Sequence, residues 1–243
     1  MKNSKSQIPN HKQMPIPNEQ NCKPWERLIV ALDLDDDKEI EKVVKILAPK
    51  NVKFKIGSIA FTKFGPSLVC KFTKKNIDIF VDLKLYDIPN TMKETAGVIA
   101  EMGCWAFTVH IKSGKDALAA VRDEVRKVSE EKNIRKPFIL GVTELTSSKA
   151  SPEDVLRLVA LASDAKLDGV IASAQEVRVI KAKFSNLKVI TPGIRSAFDE
   201  KGDQERITTA KTAFESGADY IVVGRPIISK KDYLAAAQEV LNA

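Results

Sequence analysis

The chain has 243 residues, 44% of them hydrophobic, with 39 Lys and Arg against 32 Asp and Glu for a formal net charge of +7. Its three cysteines, Cys22, Cys70 and Cys104, are far apart and form no Cys-x-x-Cys, which argues against a disulfide framework and for a reducing, cytoplasmic setting. No apolar run is long enough to span a membrane, and two histidines, His11 and His110, are a poor inventory for a zinc site.

The first 26 residues are rich in Asn, Pro, Gln and Lys and lack the apolar segment of a signal peptide; they read as a disordered extension. From 27 to 243 the chain reads as one domain in which short β-branched runs alternate with longer amphipathic stretches. Strands are predicted near 27–33, 52–55, 78–84, 105–110, 138–142, 169–172, 188–191 and 220–224. Asp35, Asp36 and Asp37 stand where a first helix begins, and carboxylates there cap free amides. Gly65-Pro66 divides the second helical stretch. A helix over 113–132 carries Ala117, Leu118, Val121, Val125 and Val128 on one stripe. Ser151 and Pro152 make an N-cap and first-turn pair for the next helix. Eight strand–helix repeats predict a (β/α)8 TIM barrel. Periodicity does not reveal closure, so an open doubly wound sheet is the alternative, although no Gly-x-Gly-x-x-Gly follows the first strand.

In such barrels chemistry gathers at the C-terminal ends of the strands. Residues two apart share a face. The aliphatic face of each early strand (Leu28, Val30, Leu32; Val52, Phe54, Ile56; Val81, Leu83, Leu85) is expected to meet the helices. The mixed face then points inward and places Asp33, Lys55, Asp82 and Lys84 around one mouth, with Asp87 just beyond. Charges on an inward face are costly unless paired, and an alternating Asp/Lys array offers pairing. It serves either as a structural ion-pair network or as reactive machinery. At the other end of the chain, Gly224-Arg225 follows the last strand and Thr191-Pro-Gly-Ile-Arg195 follows the seventh. Loops at these places often hold phosphate. Residues 193–204 could close over a ligand. His110 could act in acid–base chemistry or be a hydrogen-bonded structural residue; Thr143 and Thr146 lie past the fifth strand, where Thr146 either binds a base edge or caps a helix.

Asp82-Leu-Lys84-Leu-Tyr-Asp87-Ile-Pro-Asn-Thr91 resembles the signature of the orotidine 5'-monophosphate decarboxylases, in their bacterial-type, single-domain form. The resemblance runs from Leu28-Ile-Val-Ala-Leu-Asp33, through Leu-Thr146-Ser and Thr-Pro-Gly-Ile-Arg195, to Val-Val-Gly224-Arg225. It implies removal of carbon dioxide from orotidine 5'-monophosphate to give uridine 5'-monophosphate in de novo pyrimidine synthesis, with no cofactor and no metal. Lys84 would protonate C6, Asp82 would face the substrate carboxylate, and Lys55 would complete the array and touch the ribose. Asp87 would come from the partner subunit of a homodimer, and Asp33 would bind a ribose hydroxyl. Thr91 would contact the substrate and Thr146 the pyrimidine region; Arg195, Gln204, Gly224 and Arg225 would grip the 5'-phosphate.

Asp-x-Lys-x-x-Asp is shared with related barrels, so a metal-dependent sugar-phosphate decarboxylase or synthase is the main alternative, disfavoured by the Ile-Pro-Asn-Thr continuation. A Schiff-base aldolase using Lys84 is a weaker one. The basic charge also fits a noncatalytic nucleotide or nucleic-acid binder, but no recognised nucleic-acid motif is present and the mouth constellation would then have no purpose.

Overall fold

Strand β1 (Leu28–Ala31) is buried along its whole length, because a barrel strand is covered by helices outside and by other strands' side chains inside. The same double covering shapes β2 (Lys53–Gly57), β3 (Ile79–Leu85), β4 (Ala106–His110), β5 (Phe138–Val142), β6 (Gly169–Ile171), β7 (Lys188–Thr191) and β8 (Tyr220–Val223). The computed structural model describes residues 23–144, 151–195 and 208–243. Among these, the eight strands run parallel and each pairs with the next. The sheet closes where Leu28, Ile29 and Val30 pair with Ile221, Val222 and Val223, so the open-sheet alternative is removed.

The helices begin and end where local chemistry dictates. Asp36 caps α1 (Asp37–Leu47), its carboxylate accepting from the Lys38 and Glu39 amides at 2.8 and 3.3 Å. Asp35 and Asp37 instead pair with Lys63 and Lys71. Gly65, at φ 66°, separates α2 (Ser58–Phe64) from α3 (Pro66–Thr73). After α4 (Pro89–Glu101), helix α5 (Lys115–Lys132) starts two residues later than the apolar stripe predicts. The reason is local: Ile111–Ser113 form a 3-10 turn that ends at Gly114, whose φ of 88° cannot continue a helix. All five stripe residues of α5 are buried. Ser151 caps α6 (Pro152–Asp164) through the Asp154 amide at 3.1 Å. Then follow α7 (Ala174–Lys183), α8 (Ala210–Glu215), α9 (Arg225–Ile228) and α10 (Tyr233–Asn242).

Two apolar clusters result. The larger lies between strands and helices and contains the outward set Leu28, Val30, Leu32, Phe54, Ile56 and Val81. Burying each such side chain stabilises the fold by about 2 kcal/mol. The smaller fills the barrel and includes Ile29, Ala31, Phe80, Trp105, Leu140 and Tyr220. Lys53 and Lys55 both point inward but toward opposite ends. Lys53 closes the bottom: its ammonium donates to the Glu26 carbonyl at 2.9 Å and lies 5.3 and 5.2 Å from the Trp105 and Tyr220 ring centroids. Glu26 belongs to a 3-10 turn, Pro24–Arg27, that leads into β1. Such a buried cation is tolerable because a carbonyl, two aromatic faces and the Asp78 carboxylate, 3.9 Å away, replace its water.

Candidate active site

At the opposite end, the first three strands place four charges in a row. Lys55 Nζ lies 3.0 Å from Asp33 Oδ1 and 3.5 Å from Asp82 Oδ2. Lys84 Nζ is 3.0 Å from both Asp82 oxygens. Sequence alternation brings these four residues together as expected. Lys55 and Asp82 are each only 9% exposed, whereas the Lys84 side chain is 39% exposed and reaches the open mouth. Burial pushes the Asp82 carboxyl up, but the Lys55 and Lys84 ammonium groups and hydrogen bonds from Lys84 and Thr108 outweigh it. The net effect holds Asp82 below the usual carboxylate range, so it is ionised at neutral pH.

Strand β3 does not reach this arrangement by simple pleating. Val81 pairs with Phe107 and Leu85 with Val109, so Asp82, Leu83 and Lys84 face Thr108 alone on β4. Within this bulge Lys84 has φ 52°, the left-handed region that a lysine rarely occupies. Among the described residues, the other positive-φ non-glycines are Asn51, Asn76, Asn133 and Lys166, and none of them lies in a strand. Gly57, at the end of β2, leaves the space in which Lys55 and Asp33 meet. A Cβ there would fall 2.8 Å from Lys55 Nζ and 3.0 Å from Asp33 Oδ1. Strand alternation turns Thr108 toward the mouth beside His110 without assigning it a task, and it singles out nothing at Gly57. What each one touches depends on register between strands and on three-dimensional proximity, which periodicity does not carry.

Past β3 the chain becomes exposed. Asp87 accepts from its neighbour's amide, Ile88 N, at 2.7 Å. Thr91, in the first turn of α4, lines a shallow cleft with Leu83, Lys84, Tyr86, Asp87 and Met92. Tyr86 and Ile88 flank Asp87 at 63% and 66% exposure. His110 ends β4 and its Nδ1 accepts from the Lys112 amide at 3.4 Å, capping the 3-10 turn. Burial, then the Lys112 charge, lower its pKa, which favours the neutral acceptor form that this cap uses. Thr143 Oγ1 donates to the Ile171 carbonyl at 3.0 Å.

The far wall of the mouth is built by β6, β7 and β8. Among the described residues, the buried side-chain polar atoms without a hydrogen-bond partner are Ser173 Oγ, Thr191 Oγ1 and Arg195 Nε. All three belong to the C-terminal ends of β6 and β7 or the residues just after them. An unsatisfied buried donor costs about 1–3 kcal/mol, more when charged, so each is an atom that a polar ligand would satisfy. Arg195 is held by its amide, which donates to Thr208 O at 3.0 Å. Gly224 and Arg225 follow β8 next to β1, and a Cβ on Gly224 would lie 3.5 Å from that of Ala31. Thr146 and Gln204 lie outside the described residues. Among those described, no three His, Cys, Asp or Glu side chains gather as a metal-binding group.

Comparison with known proteins agrees with this geometry. The family model described as orotidine 5'-phosphate decarboxylase / HUMPS matches residues 26–240. Orotidine 5'-phosphate decarboxylase of Coxiella burnetii is 38% identical over 230 residues, 90% of this chain and 96% of that protein. The Vibrio cholerae protein of the same name is 40% identical over 213 residues, 83% of this chain and 90% of its own. The crystal structure of the Lactobacillus acidophilus orotidine 5'-phosphate decarboxylase superposes with a TM-score of 0.77 at 33% identity, covering 89% of this chain and 99% of that one. The match spans the whole barrel, its charged mouth included, and the chain belongs to the orotidine 5'-phosphate decarboxylase / HUMPS family.

Proposed function

We propose that the protein is a carboxy-lyase that converts orotidine 5'-monophosphate to uridine 5'-monophosphate and carbon dioxide in pyrimidine biosynthesis. The observation that carries this reading is the row Asp33–Lys55–Asp82–Lys84, with one ammonium, Lys84, exposed at the mouth. The substrate carboxylate would lie against Asp82, whose ionised state makes that contact repulsive. The C6–carboxylate bond breaks, its electron pair stays on C6, and a proton passes from Lys84 Nζ to that carbon as carbon dioxide departs. A positive charge 4 Å from the developing carbanion stabilises it by roughly 4 kcal/mol at an effective dielectric near 20, about a thousandfold in rate. The rest of the acceleration comes from crowding at Asp82, exclusion of water and binding energy from the remote phosphate.

Lys55 and Asp33 keep the row in place and meet the ribose. Arg195, Gly224 and Arg225, with Gln204, grip the phosphate. In support, Arg195 offers a buried, unengaged Nε, and the protein leaves room at Gly224 for close approach. Thr146 is assigned to the pyrimidine. Asp87 and Thr91 are assigned to the mouth of a homodimer, Asp87 reaching the partner's substrate. The exposed Tyr86 and Ile88 beside Asp87 are the apolar surface such an interface needs. If so, dilution to monomer abolishes turnover, and full activity from a strict monomer removes the Asp87 assignment.

A metal-dependent sugar-phosphate enzyme is the rival. It needs carboxylates free to ligate, whereas both oxygens of Asp82 are engaged by lysine ammonium groups. The same proposal sets residues 27–243 as the catalytic domain, with 1–26 outside the chemistry, in the cytoplasm, where the free thiols of Cys70 and Cys104 are stable. Among the described residues no helix is long and apolar enough to cross a membrane. The test is direct: chelator-treated protein is mixed with orotidine 5'-monophosphate and the product identified. Turnover to uridine 5'-monophosphate supports the reading; no turnover by folded protein sinks it.

A further inference from the structure

We propose that Thr108 is a positioning residue for the decarboxylation: its hydroxyl, lodged in the bulge of β3, fixes the Lys84 main chain and the Asp82 carboxylate together. The inference rests on the assignment of Lys84 and Asp82 made above. Three residues of β3 face one residue of β4 there, so the regular ladder between the strands is interrupted. The Lys84 amide finds its acceptor in Thr108 Oγ1 at 2.8 Å instead. The same hydroxyl lies 3.0 Å from Asp82 Oδ1. An ionised carboxylate only accepts, so the hydroxyl proton must point at Asp82 while a lone pair receives the Lys84 N–H. Thr108 is fully buried, and its own side chain is held stiff by β-branching.

This arrangement has a purpose that packing alone does not explain. Lys84 at φ 52° is strained, and a strained backbone persists only where its surroundings over-determine it. Left to relax, the residue would swing its side chain off the line that leads to Asp82. Thr108 opposes that relaxation from the backbone side, and the Asp82–Lys84 ion pair opposes it from the side-chain side. When substrate enters against Asp82, the ion pair must loosen for Lys84 to aim at carbon. The hydroxyl is then what keeps the ammonium's origin fixed. A misplacement of about 1 Å at a reacting group is enough to cost about a hundredfold in rate.

The test compares Thr108→Val, which keeps the shape and removes the hydroxyl, with Thr108→Ser, which keeps the hydroxyl. Thr108→Ala serves as a second hydroxyl-free protein. Turnover of orotidine 5'-monophosphate, the Kd for uridine 5'-monophosphate and the thermal midpoint are measured for each. The expected result is a fall in kcat of about ten- to a hundredfold in the valine and alanine proteins, with the nucleotide Kd within about threefold. Serine restores kcat to within about fivefold. Wild-type kcat in a folded Thr108→Val protein overturns the inference. So does a loss that serine fails to rescue, or one matched by equal weakening of nucleotide binding. A Lys84→Ala control separates the two levels. If it turns over undiminished, the parent assignment fails; if it is inactive beside a fully active Thr108→Val, this inference alone fails.

Discussion

Replacing Gly57 by alanine separates activity from stability in this protein. The backbone tolerates the change, because Gly57 has φ −97° and ψ −171°, an extended conformation open to any residue. The new methyl group, however, would lie 2.8 Å from Lys55 Nζ and 3.0 Å from Asp33 Oδ1, in the space where the two charges meet. Both atoms are the far ends of flexible side chains, so they move aside and the fold loses little, about 1 kcal/mol or less. The pair itself does not survive unchanged. Opening the Lys55–Asp33 contact from its present 3.0 Å to about 4 Å lowers the attraction from about 5.5 to about 4.1 kcal/mol at an effective dielectric near 20. The difference, about 1.4 kcal/mol, is about a tenfold change in kcat/KM if the row acts as one unit in the transition state. Denaturant unfolding and initial-rate kinetics on the same preparation check both halves. A folded Gly57→Ala protein with wild-type kcat/KM refutes the claim that the Lys55–Asp33 contact belongs to the machinery.

Other outcomes follow from the same geometry. Asp82 is held below its ordinary pKa of 3.8, so the stability it contributes is present above that pH and lost as pH falls through its lower folded value. Denaturant midpoints will therefore drop faster below pH 3.8 in the wild type than in Asp82→Asn, while the variant is less stable by about 2 kcal/mol at pH 7, where Lys84 loses its partner and Lys55 keeps only Asp33. Equal acid sensitivity of the two proteins contradicts the assignment of that ion row. Arg195→Ala will raise the KM for the nucleotide by about ten- to a hundredfold and leave the phosphate-free nucleoside nearly unaffected, as steady-state kinetics on both substrates will show. Burial pushes the Cys104 thiol up to about 12, so peptide mapping after native alkylation at pH 8 will find it unmodified and the half-buried Cys70 labelled.

How much of this is visible in the sequence depends on the kind of information. Strand periodicity and the position of Gly65-Pro66, Asp36 and Ser151 fix the elements, because each acts through neighbours in the chain. Two-residue alternation places Asp33, Lys55, Asp82 and Lys84 on inward faces, and the structure groups them at one mouth. It does not show that Lys84 reaches its place through a left-handed residue in a bulge, since φ is a property of register between β3 and β4. Nor does it distinguish Lys53 from Lys55 by environment: one meets aromatic rings, a carbonyl and Asp78 at the barrel bottom, the other Asp33 and Asp82 at the mouth. The start of α5 is misplaced by the apolar stripe alone, because Gly114 interrupts the backbone without interrupting the pattern. Thr108 and Gly57 matter through contacts across strands, and only coordinates bring those partners together.

The proposed role of the Lys84 ammonium is to supply the proton to C6. Single-turnover conversion of orotidine 5'-monophosphate in the presence of chelator, wild type beside Lys84→Ala, examines that step by itself, with binding of uridine 5'-monophosphate measured on both. Uridine 5'-monophosphate is expected from the wild type, with a loss of at least about a thousandfold in Lys84→Ala and a product affinity that changes far less. Comparable single-turnover rates in the two folded proteins would contradict it and return the mouth to a structural ion-pair row.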